Sequence, residues 1–175
     1  MPDFVTTPET DETAKTLEYF WSNFPVSTDT DASVFLGGSA NPTLWRFVEA
    51  IPALDQAGLS YFNPQVKEWA SEQIETEALA KAKAKVLLFV VDAETRAISS
   101  LVEATEAIVR GRPTVLVIMN VPEGAVIGGE TVGPNQREDI NRGRAYLADA
   151  AKRHQVPVYD NIQDALRQVI AMAKQ

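Results

Sequence analysis

Side chains able to bind or react with a ligand cluster just after one apolar segment of the sequence. They are Asp92, Arg96, Ser99, Ser100 and Glu103. The apolar segment, VLLFVV, has the length and composition of a strand buried on both faces. In open α/β sheets, ligands bind where loops leave the carboxyl ends of strands and enter helices. The five residues are therefore candidates for a ligand site, although a carboxylate such as Glu103 near a helix start is also an ordinary partner of the helix dipole.

The element that carries these residues is a strand–helix–strand unit from Val86 to Asn120. Its strands are the runs VLLFVVD and RPTVLVIMN, and its helix contains LVEATEAIVRG. Ser99 or Ser100 is expected to cap the helix N-terminus, and Gly111 is expected to end the helix. Such a unit forms a right-handed crossover between two parallel strands.

The remaining sequence repeats this alternation of strands and helices. Strands are expected near 33–36, 59–62 and 156–159, and helices near 10–23, 43–56, 71–85, 136–154 and 162–173. Pro52 predicts a kink or a shortened last turn in the helix at 43–56, because proline cannot donate a helical hydrogen bond. Residues 121–134 contain four glycines and are expected to form a mobile loop, which could act as a lid. The pattern predicts an α/β domain with five strands.

Length and charge limit the classes of protein to be considered. The 175 residues suit one domain, which we place at 32–175, with an N-terminal accessory segment at 1–31. The net charge of −8 argues against non-specific nucleic-acid binding. The sequence shows neither a transmembrane run nor a secretory signal, so we expect a cytoplasmic protein that does not bind membranes.

The sequence also lacks the residues of several catalytic classes. It contains no cysteine and a single histidine, His154. These counts exclude a cysteine nucleophile, a thiolate metal site and a histidine-rich metal site within one chain. We therefore expect neither a metal ion nor a cofactor in the site.

Three loops are expected to meet at the carboxyl edge of the sheet. They are residues 37–43 (GGSANPT), 61–64 (YFNP) and 92–103. The glycine pair Gly37–Gly38 would let the backbone approach a ligand closely. The pair matches neither the phosphate-binding P-loop pattern nor GxGxxG, so on its own it does not identify the ligand.

Three blocks of sequence together resemble the nucleoside 2-deoxyribosyltransferase-like family. The blocks are VFLGGSANPTLWR, YFNPQVKEW and AKVLLFVVDAETRAISSLVEATEAI, and they fall between Val34 and Asn120. Their order and spacing both agree with the family. The resemblance implies a flavodoxin/Rossmann-like three-layer sandwich with a five-stranded parallel sheet. It also implies an enzyme that cleaves or transfers the N-glycosidic bond of a nucleoside or a nucleoside 5′-monophosphate.

The resemblance also implies roles for individual residues. The family nucleophile, a glutamate near the start of the helix after the third strand, corresponds to Glu103. The acidic residue that assists the leaving base corresponds to Glu77, or to Glu75 in a shifted register. Together with the loops described above, the resemblance gives these substrate-binding candidates: Gly37, Gly38, Ser39, Asn63, Asp92, Arg96, Ser99 and Ser100. The sequence departs from the family in two places. Phe35 replaces the tyrosine that orients the nucleophile, and the segment 95–100 (TRAISS) replaces the usual acidic or glycine-rich approach to it.

These residues are sufficient for a reaction without a metal. N-glycoside cleavage passes through an oxocarbenium-like state, which a carboxylate beneath the anomeric carbon stabilises or attacks. Glu103 can take that role, while Glu77 with a raised pKa protonates the base. Arg96 or Arg46 could pair with a phosphate, although a surface position is the simpler expectation for Arg46.

Two other functions remain open at this point. Phe35 in place of tyrosine favours a sensor module that keeps the fold and binds a nucleotide without catalysis. The segment Ile127–Thr131 faintly resembles the glycine loop of cytokinin-activating phosphoribohydrolases, but it lacks the acidic partner. The family resemblance further implies a homodimer or a higher homo-oligomer.

Overall fold

The computed structural model describes residues 8–24 and 27–175. The predicted lead-in before residue 8, and Pro25 and Val26 of the predicted connector, lie outside these ranges. In chain order the described elements are α1 (Pro8–Asn23), β1 (Val34–Gly38), a π-helical turn (Arg46–Ala50), α2 (Ile51–Ala57), β2 (Tyr61–Phe62), α3 (Gln73–Lys83), β3 (Val86–Val91), α4 (Ile98–Val109), β4 (Thr114–Ile118), β5 (Val126–Ile127), β6 (Glu130–Thr131), α5 (Pro134–Arg153), β7 (Val158–Tyr159) and α6 (Ile162–Ala173).

Five of the described strands form one parallel sheet in the order β2–β1–β3–β4–β7. β1 runs beside β3 along its whole length, from Val34 opposite Val86 to Gly38 opposite Val90. β2 extends the sheet beyond β1, and β4 and β7 extend it beyond β3. Parallel neighbours require crossover connections, which the helices between them supply. The predicted five-stranded parallel α/β sheet is confirmed.

Helices cover both faces of this sheet and give the fold three layers. Side chains alternate along β1, so Val34 and Leu36 face one layer while Phe35 faces the other. The first layer contains α1, α2 and α6, and the second contains α3, α4 and α5. All six residues of β3 are buried, as expected of a strand covered on both sides. The flavodoxin/Rossmann-like sandwich is therefore confirmed as well.

The glycine pair Gly37–Gly38 lies inside β1 and not after it. A Cβ atom at Gly37 would lie 2.4 Å from Cε1 of Phe89 on β3. A Cβ atom at Gly38, where φ is +110°, would lie 2.1 Å from the carbonyl oxygen of Val90. The close approach that these glycines allow is therefore to the neighbouring strand, whereas their sequence pattern suggested approach to a ligand.

The irregular backbone in this region is a π-helical turn at Arg46–Ala50, directly before α2 and Pro52. The amide of Ile51 donates to the carbonyl of Arg46, five residues earlier, and this bond defines the π-helical turn. Pro52 then occupies the first turn of α2, where a residue without an N–H is tolerated. The turn matters for the site because it carries Arg46 into the interior, where its side chain is buried.

Helix α4 begins at Ile98, slightly earlier than predicted. Its N-cap is Ala97, which adopts a left-handed conformation with a φ of 55°. The predicted serine cap is therefore wrong, and Ser99 and Ser100 lie in the first turn of the helix. The helix ends close to Gly111, as predicted, and this glycine has a φ of +67°. The C-cap residue itself is Arg110, one residue before Gly111.

The loop predicted at 121–134 contains a small hairpin. Strands β5 and β6 pair in antiparallel fashion. Gly128 and Gly129, both with positive φ, form the two-residue turn between them. Turn geometry therefore accounts for these glycines, and a role of the hairpin as a lid stays a prediction.

Helix α1 packs on the domain through aromatic side chains, as predicted. The ring of Phe20 stacks on that of Phe47 in the π-helical turn, with centroids 4.7 Å apart. Leu17 is buried in the same apolar core. The division of the chain at residue 31 stays a prediction. Among the described residues, no helix is both long and apolar enough to cross a membrane.

We expect Gly38→Ala to destabilise the protein more than a matched substitution in open space, Gly111→Ala. Both glycines have positive φ, but only Gly38 has a neighbour where the new methyl group would lie. Left-handed strain alone costs about 1–2 kcal/mol, and the clash with Val90 should bring the loss at Gly38 to roughly 3 kcal/mol or more. Urea unfolding of both variants measures the difference, and equal losses would contradict the packing role.

Candidate active site

Glu103 faces helix α3 and forms an ion pair with Lys81. The Lys81 Nζ atom lies 2.6 Å from Glu103 Oε1. The side chain of Lys81 is 16% exposed and that of Glu103 is 28% exposed. A charge-assisted hydrogen bond in such a position is only weakly screened by solvent and salt. The predicted nucleophile is thus held between two helices on one face of the sheet.

The ion pair lies over an aromatic side chain of β1. Lys81 Nζ is 5.7 Å from the centroid of the Phe35 ring. Phe35 is fully buried and stacks on Phe62 of β2, with centroids 5.7 Å apart. A phenyl ring offers no hydrogen-bond donor, so the hydrogen bond that Glu103 receives comes from Lys81.

Glu77 is the second carboxyl group of the site. It lies on α3, one helical turn before Lys81. Burial raises the pKa of Glu77 to about 7, and the negative charge of Glu103 adds to this rise, while Lys81 and Arg46 oppose it. Glu77 therefore exchanges a proton near neutral pH. The two carboxyl groups singled out in the sequence thus lie on α3 and α4, in the same helix layer, whereas the alternative residue, Glu75, is exposed.

Arg46 is fully buried, and the expectation of a surface position is wrong. Its guanidinium group donates to three backbone carbonyl oxygens at the end of β1 and just beyond. These belong to Leu36 at 2.9 Å, Gly38 at 3.1 Å and Ser39 at 2.6 Å. The hydrogen bonds satisfy a group whose burial would otherwise be strongly unfavourable.

The charge of Arg46 also acts on the acidic side chains of the site. Burial lowers the pKa of Arg46 to about 9, and the carboxyl groups of Asp92, Glu77 and Glu103 oppose this change. A pKa of 9 still leaves the guanidinium charged at neutral pH. Arg46 is thus a permanent positive charge that interacts with three acidic residues. The sequence indicated only that it could lie at the surface or pair with a phosphate.

Ser39 and Asp92 connect the carboxyl ends of β1 and β3. Ser39 Oγ accepts hydrogen bonds from the amide of Asp92 at 3.1 Å and from the hydroxyl of Thr95 at 2.7 Å. The Asp92 carboxylate accepts from the amide of Glu94 at 3.0 Å. Burial raises the pKa of Asp92, and the hydrogen bonds from Glu94 and Ser39 oppose the rise. These two predicted site residues therefore meet and fix the loop between β3 and α4.

Arg144 holds the same loop from helix α5, and the sequence analysis missed it. Its guanidinium donates to the carbonyl oxygens of Asp92 at 2.7 Å and Thr95 at 2.9 Å. Burial lowers the pKa of Arg144, and Asp92 opposes this change. The available signal was its spacing, because Arg144 lies four residues after Ile140 and three before Leu147, on the apolar side of the helix.

Asn63 and Gln65 stabilise the loop after β2 and link it to the loop after β1. The side-chain oxygen of Asn63 accepts from the amide of Gln65 at 3.0 Å. Gln65 accepts from Arg46 at 3.3 Å and donates to the side chain of Asn41 at 2.9 Å. The loops after β1 and β2 therefore meet at the edge of the sheet. Contact between Asn63 and a substrate stays a prediction.

The other predicted residues lie around the start of α4. Ser99 is exposed, whereas Ser100 is buried. The side chain of Arg96 is 47% exposed, and its guanidinium lies 3.9 Å from the carboxylate of Glu130 on β6. Arg96 and Ser99 are thus accessible to a ligand from solvent, while Ser100 packs inside.

A groove of about 190 Å³ between α3 and α4 gives access to the ion pair. Lys81 and Glu103 line it together with Ala78, Ala82 and Ala107. The small alanine side chains leave space above the charged groups. In the described part of the chain, no group of histidine, aspartate and glutamate side chains is arranged to hold a metal ion.

The arrangement combines two carboxyl groups in different environments. One, on Glu103, is paired with a lysine, and the other, on Glu77, exchanges a proton near pH 7. A carboxylate held by a cation and a carboxyl group that exchanges a proton near neutral pH are both groups that cleavage of a glycosidic bond can use. The structure thus defines an α/β domain whose two candidate carboxyl groups lie on α3 and α4, in the same helix layer.

Comparison with known families agrees with this description. The model of a family described as nucleoside 2-deoxyribosyltransferase like matches residues 31–121, just over half of the chain. The matched region contains both carboxyl groups and four strands of the sheet. The chain belongs to this family, as the sequence blocks indicated. No curated protein matches the chain.

We expect Glu77→Gln to be more stable than the native protein at pH 8 and to lose this advantage toward pH 4.5. Folding raises the pKa of Glu77 from 4.5 to about 7, so the folded state binds this proton more tightly than the unfolded state. Native stability therefore falls as the pH rises from about 4.5 through 7. Because solvent screens this partly exposed group, the difference should be on the order of 1 kcal/mol.

Urea unfolding at pH 5 and pH 8 measures this effect. The matched control is Glu75→Gln, which changes an exposed carboxyl group on the same helix. An equal pH-dependent gain in the two variants would show that the effect does not come from the environment of Glu77.

Proposed function

We propose that this protein breaks the N-glycosidic bond of nucleosides or nucleoside 5′-monophosphates, as a hydrolase or a 2-deoxyribosyltransferase. The observation that carries the proposal is the coupled pair of carboxyl groups on α3 and α4. Glu103 is paired with Lys81, and Glu77 has a pKa of about 7. Membership of the nucleoside 2-deoxyribosyltransferase-like family supports the class of substrate.

In the first chemical step, a carboxylate oxygen of Glu103 bonds to the anomeric carbon while the bond from that carbon to the base nitrogen breaks. Glu77 gives its proton to the departing base. The sugar is then held as an ester of Glu103. A water molecule or a second base attacks the anomeric carbon, releases Glu103 and returns a proton to Glu77. Attack by water completes hydrolysis, and attack by a base completes transfer.

We assign the start of α4 to the 5′ end of the substrate. Arg96 and Ser99 are exposed there, where backbone amides and the helix dipole favour an anion. Arg46 contributes differently, because its guanidinium already donates to backbone carbonyls. A 5′-phosphate would therefore contact Arg96 and Ser99, while Arg46 acts as a charge at a distance.

A second function, nucleotide binding without turnover, is favoured by one observation. Glu103 accepts its hydrogen bond from a lysine, and Phe35 offers no hydroxyl group. Without that hydroxyl group, Glu103 lacks the donor that orients the nucleophile in the family, which is the departure that favours binding alone. This alternative predicts measurable binding of a nucleotide without any release of base.

We expect the native protein to release free base from at least one member of a panel of nucleosides and 5′-monophosphates. Glu103→Ala should lower the rate by about 10³-fold or more, because loss of a nucleophile removes most of the rate enhancement. The assay separates the products by chromatography, with and without an acceptor base. The dependence on acceptor distinguishes a transferase from a hydrolase.

The control for this assay is Glu138→Gln. Glu138 lies on α5, is exposed and pairs with Arg142, so the variant should keep native activity. Base release that survives Glu103→Ala would exclude Glu103 as the nucleophile. Binding by the native protein without any release of base would support the sensor function.

We further propose that the protein is cytoplasmic and associates into a homodimer or higher homo-oligomer. Exposed apolar side chains on neighbouring helices support association. They are Ile98, Val102 and Val109 on α4 and Tyr146 on α5. Such a group of apolar residues on a surface is typical of an interaction site.

We expect Val109→Glu to shift the protein toward monomer in sedimentation experiments. A charged side chain on this face would be desolvated on association, which is unfavourable. Val48→Glu introduces the same charge at an exposed position in the opposite layer, and it should leave the association unchanged. Equal behaviour of the two variants would contradict a role of the α4 face.

A further inference from the structure

Three lysines alternate with alanines at the end of α3 and just beyond it, and they have different surroundings. Lys83 forms an exposed ion pair with Asp31 at 2.8 Å. Lys85 reaches the carbonyl of Ala173 on α6 at 3.4 Å. Lys81 instead points into the candidate site, where its Nζ lies 2.6 Å from Glu103 Oε1. The sequence KAKAK thus contains one lysine of the site and two that serve other contacts.

The backbone that carries Lys81 is fixed by the connection between α4 and β4. The guanidinium of Arg112, just before β4, donates to the carbonyl oxygens of Lys81 at 3.0 Å and Ala84 at 2.5 Å. The C-terminal end of α3 is therefore tied to the sheet. A side chain that starts from a fixed backbone and is mostly buried has little freedom, so its ammonium group defines the position of whatever it binds.

We infer that Lys81 is a positioning residue, whose ammonium group holds the Glu103 carboxylate in place for its reaction with the substrate. The inference rests on the proposed function. Three observations lead to it: the short contact with Glu103, the anchored backbone, and the apolar Phe35 ring beneath. Because Phe35 has no hydroxyl, Lys81 is the side chain that donates to Glu103 in this site.

Lys81 acts on the second carboxyl group as well. The charged groups that influence Glu77 are Glu103 from α4, Lys81 from its own helix and Arg46 from the π-helical turn. Lys81 opposes the rise in the pKa of Glu77. Removing the lysine charge should therefore raise the pKa of Glu77 further. This shift tests whether the lysine charge lies at the site, whereas a loss of kcat in Lys81→Met and its recovery in Lys81→Arg test whether Lys81 positions Glu103.

The test compares Lys81→Met, Lys81→Arg and the matched control Lys83→Met in the base-release assay. Lys81→Met should lower kcat by about 10- to 100-fold, because small displacements of a reacting group have effects of this size. KM should change little. The basic limb of the pH–rate profile, where Glu77 loses its proton, should move to higher pH. Lys81→Arg should recover part of the rate, and Lys83→Met should match the native protein.

A second measurement does not require activity. Carbon-13 NMR titration of the glutamate carboxyl groups, with the Glu77 signal assigned from Glu77→Gln, gives the pKa of Glu77 directly. It should rise in Lys81→Met and stay at its native value in Lys83→Met. An absence of base release by the native protein would overturn the proposed function alone. An unchanged pKa of Glu77 in Lys81→Met, or a native kcat and pH profile in that variant, would overturn the role of Lys81.

Discussion

The burial of a single cation, Arg46, organises the carboxyl edge of the sheet. A guanidinium group removed from water is unfavourable unless its N–H groups find acceptors. Arg46 finds them in the carbonyls of Leu36, Gly38 and Ser39 and in the side chain of Gln65. These acceptors belong to the end of β1 and to the loops after β1 and β2. The hydrogen bonds of the buried guanidinium group therefore form only when β1 and the loops after β1 and β2 all adopt their observed positions.

The same cation gives the site its electrostatic character. The positive charge of Arg46 interacts with the carboxyl groups of Asp92, Glu77 and Glu103. Arg144 holds the loop after β3 in a similar manner from the opposite helix layer. Both arginines donate to backbone carbonyl oxygens and to a side-chain oxygen, that of Gln65 or that of Asn141. Glu103 pairs with Lys81, and the positive charge of Arg46 opposes the rise in the pKa of Glu77.

The fold was predictable because its signals are local. Alternating apolar runs and helical spacing predict the parallel sheet, and Glu77 and Glu103 lie in the same helix layer because α3 and α4 cover the same face. Arg46, Arg144 and Lys81 were not assigned their roles, since each depends on partners that are distant in the chain. The close packing of Gly37 and Gly38 against β3 could not be predicted either, because it depends on which strand lies beside β1. The serine cap failed because Ala97 adopts a left-handed conformation, which nothing in its residue type indicates.

The coupling between Glu77 and Glu103 has a consequence for the timing of a two-step reaction. Formation of an ester on Glu103 would cancel its negative charge, and with it one of the causes that raise the pKa of Glu77. Lys81 would at the same moment lose its ionic partner and act on Glu77 alone. Glu77 would then retain a proton less readily and accept one from the incoming water or base only as the ester breaks. The covalent state of one side chain would thus set whether its neighbour serves as acid or base.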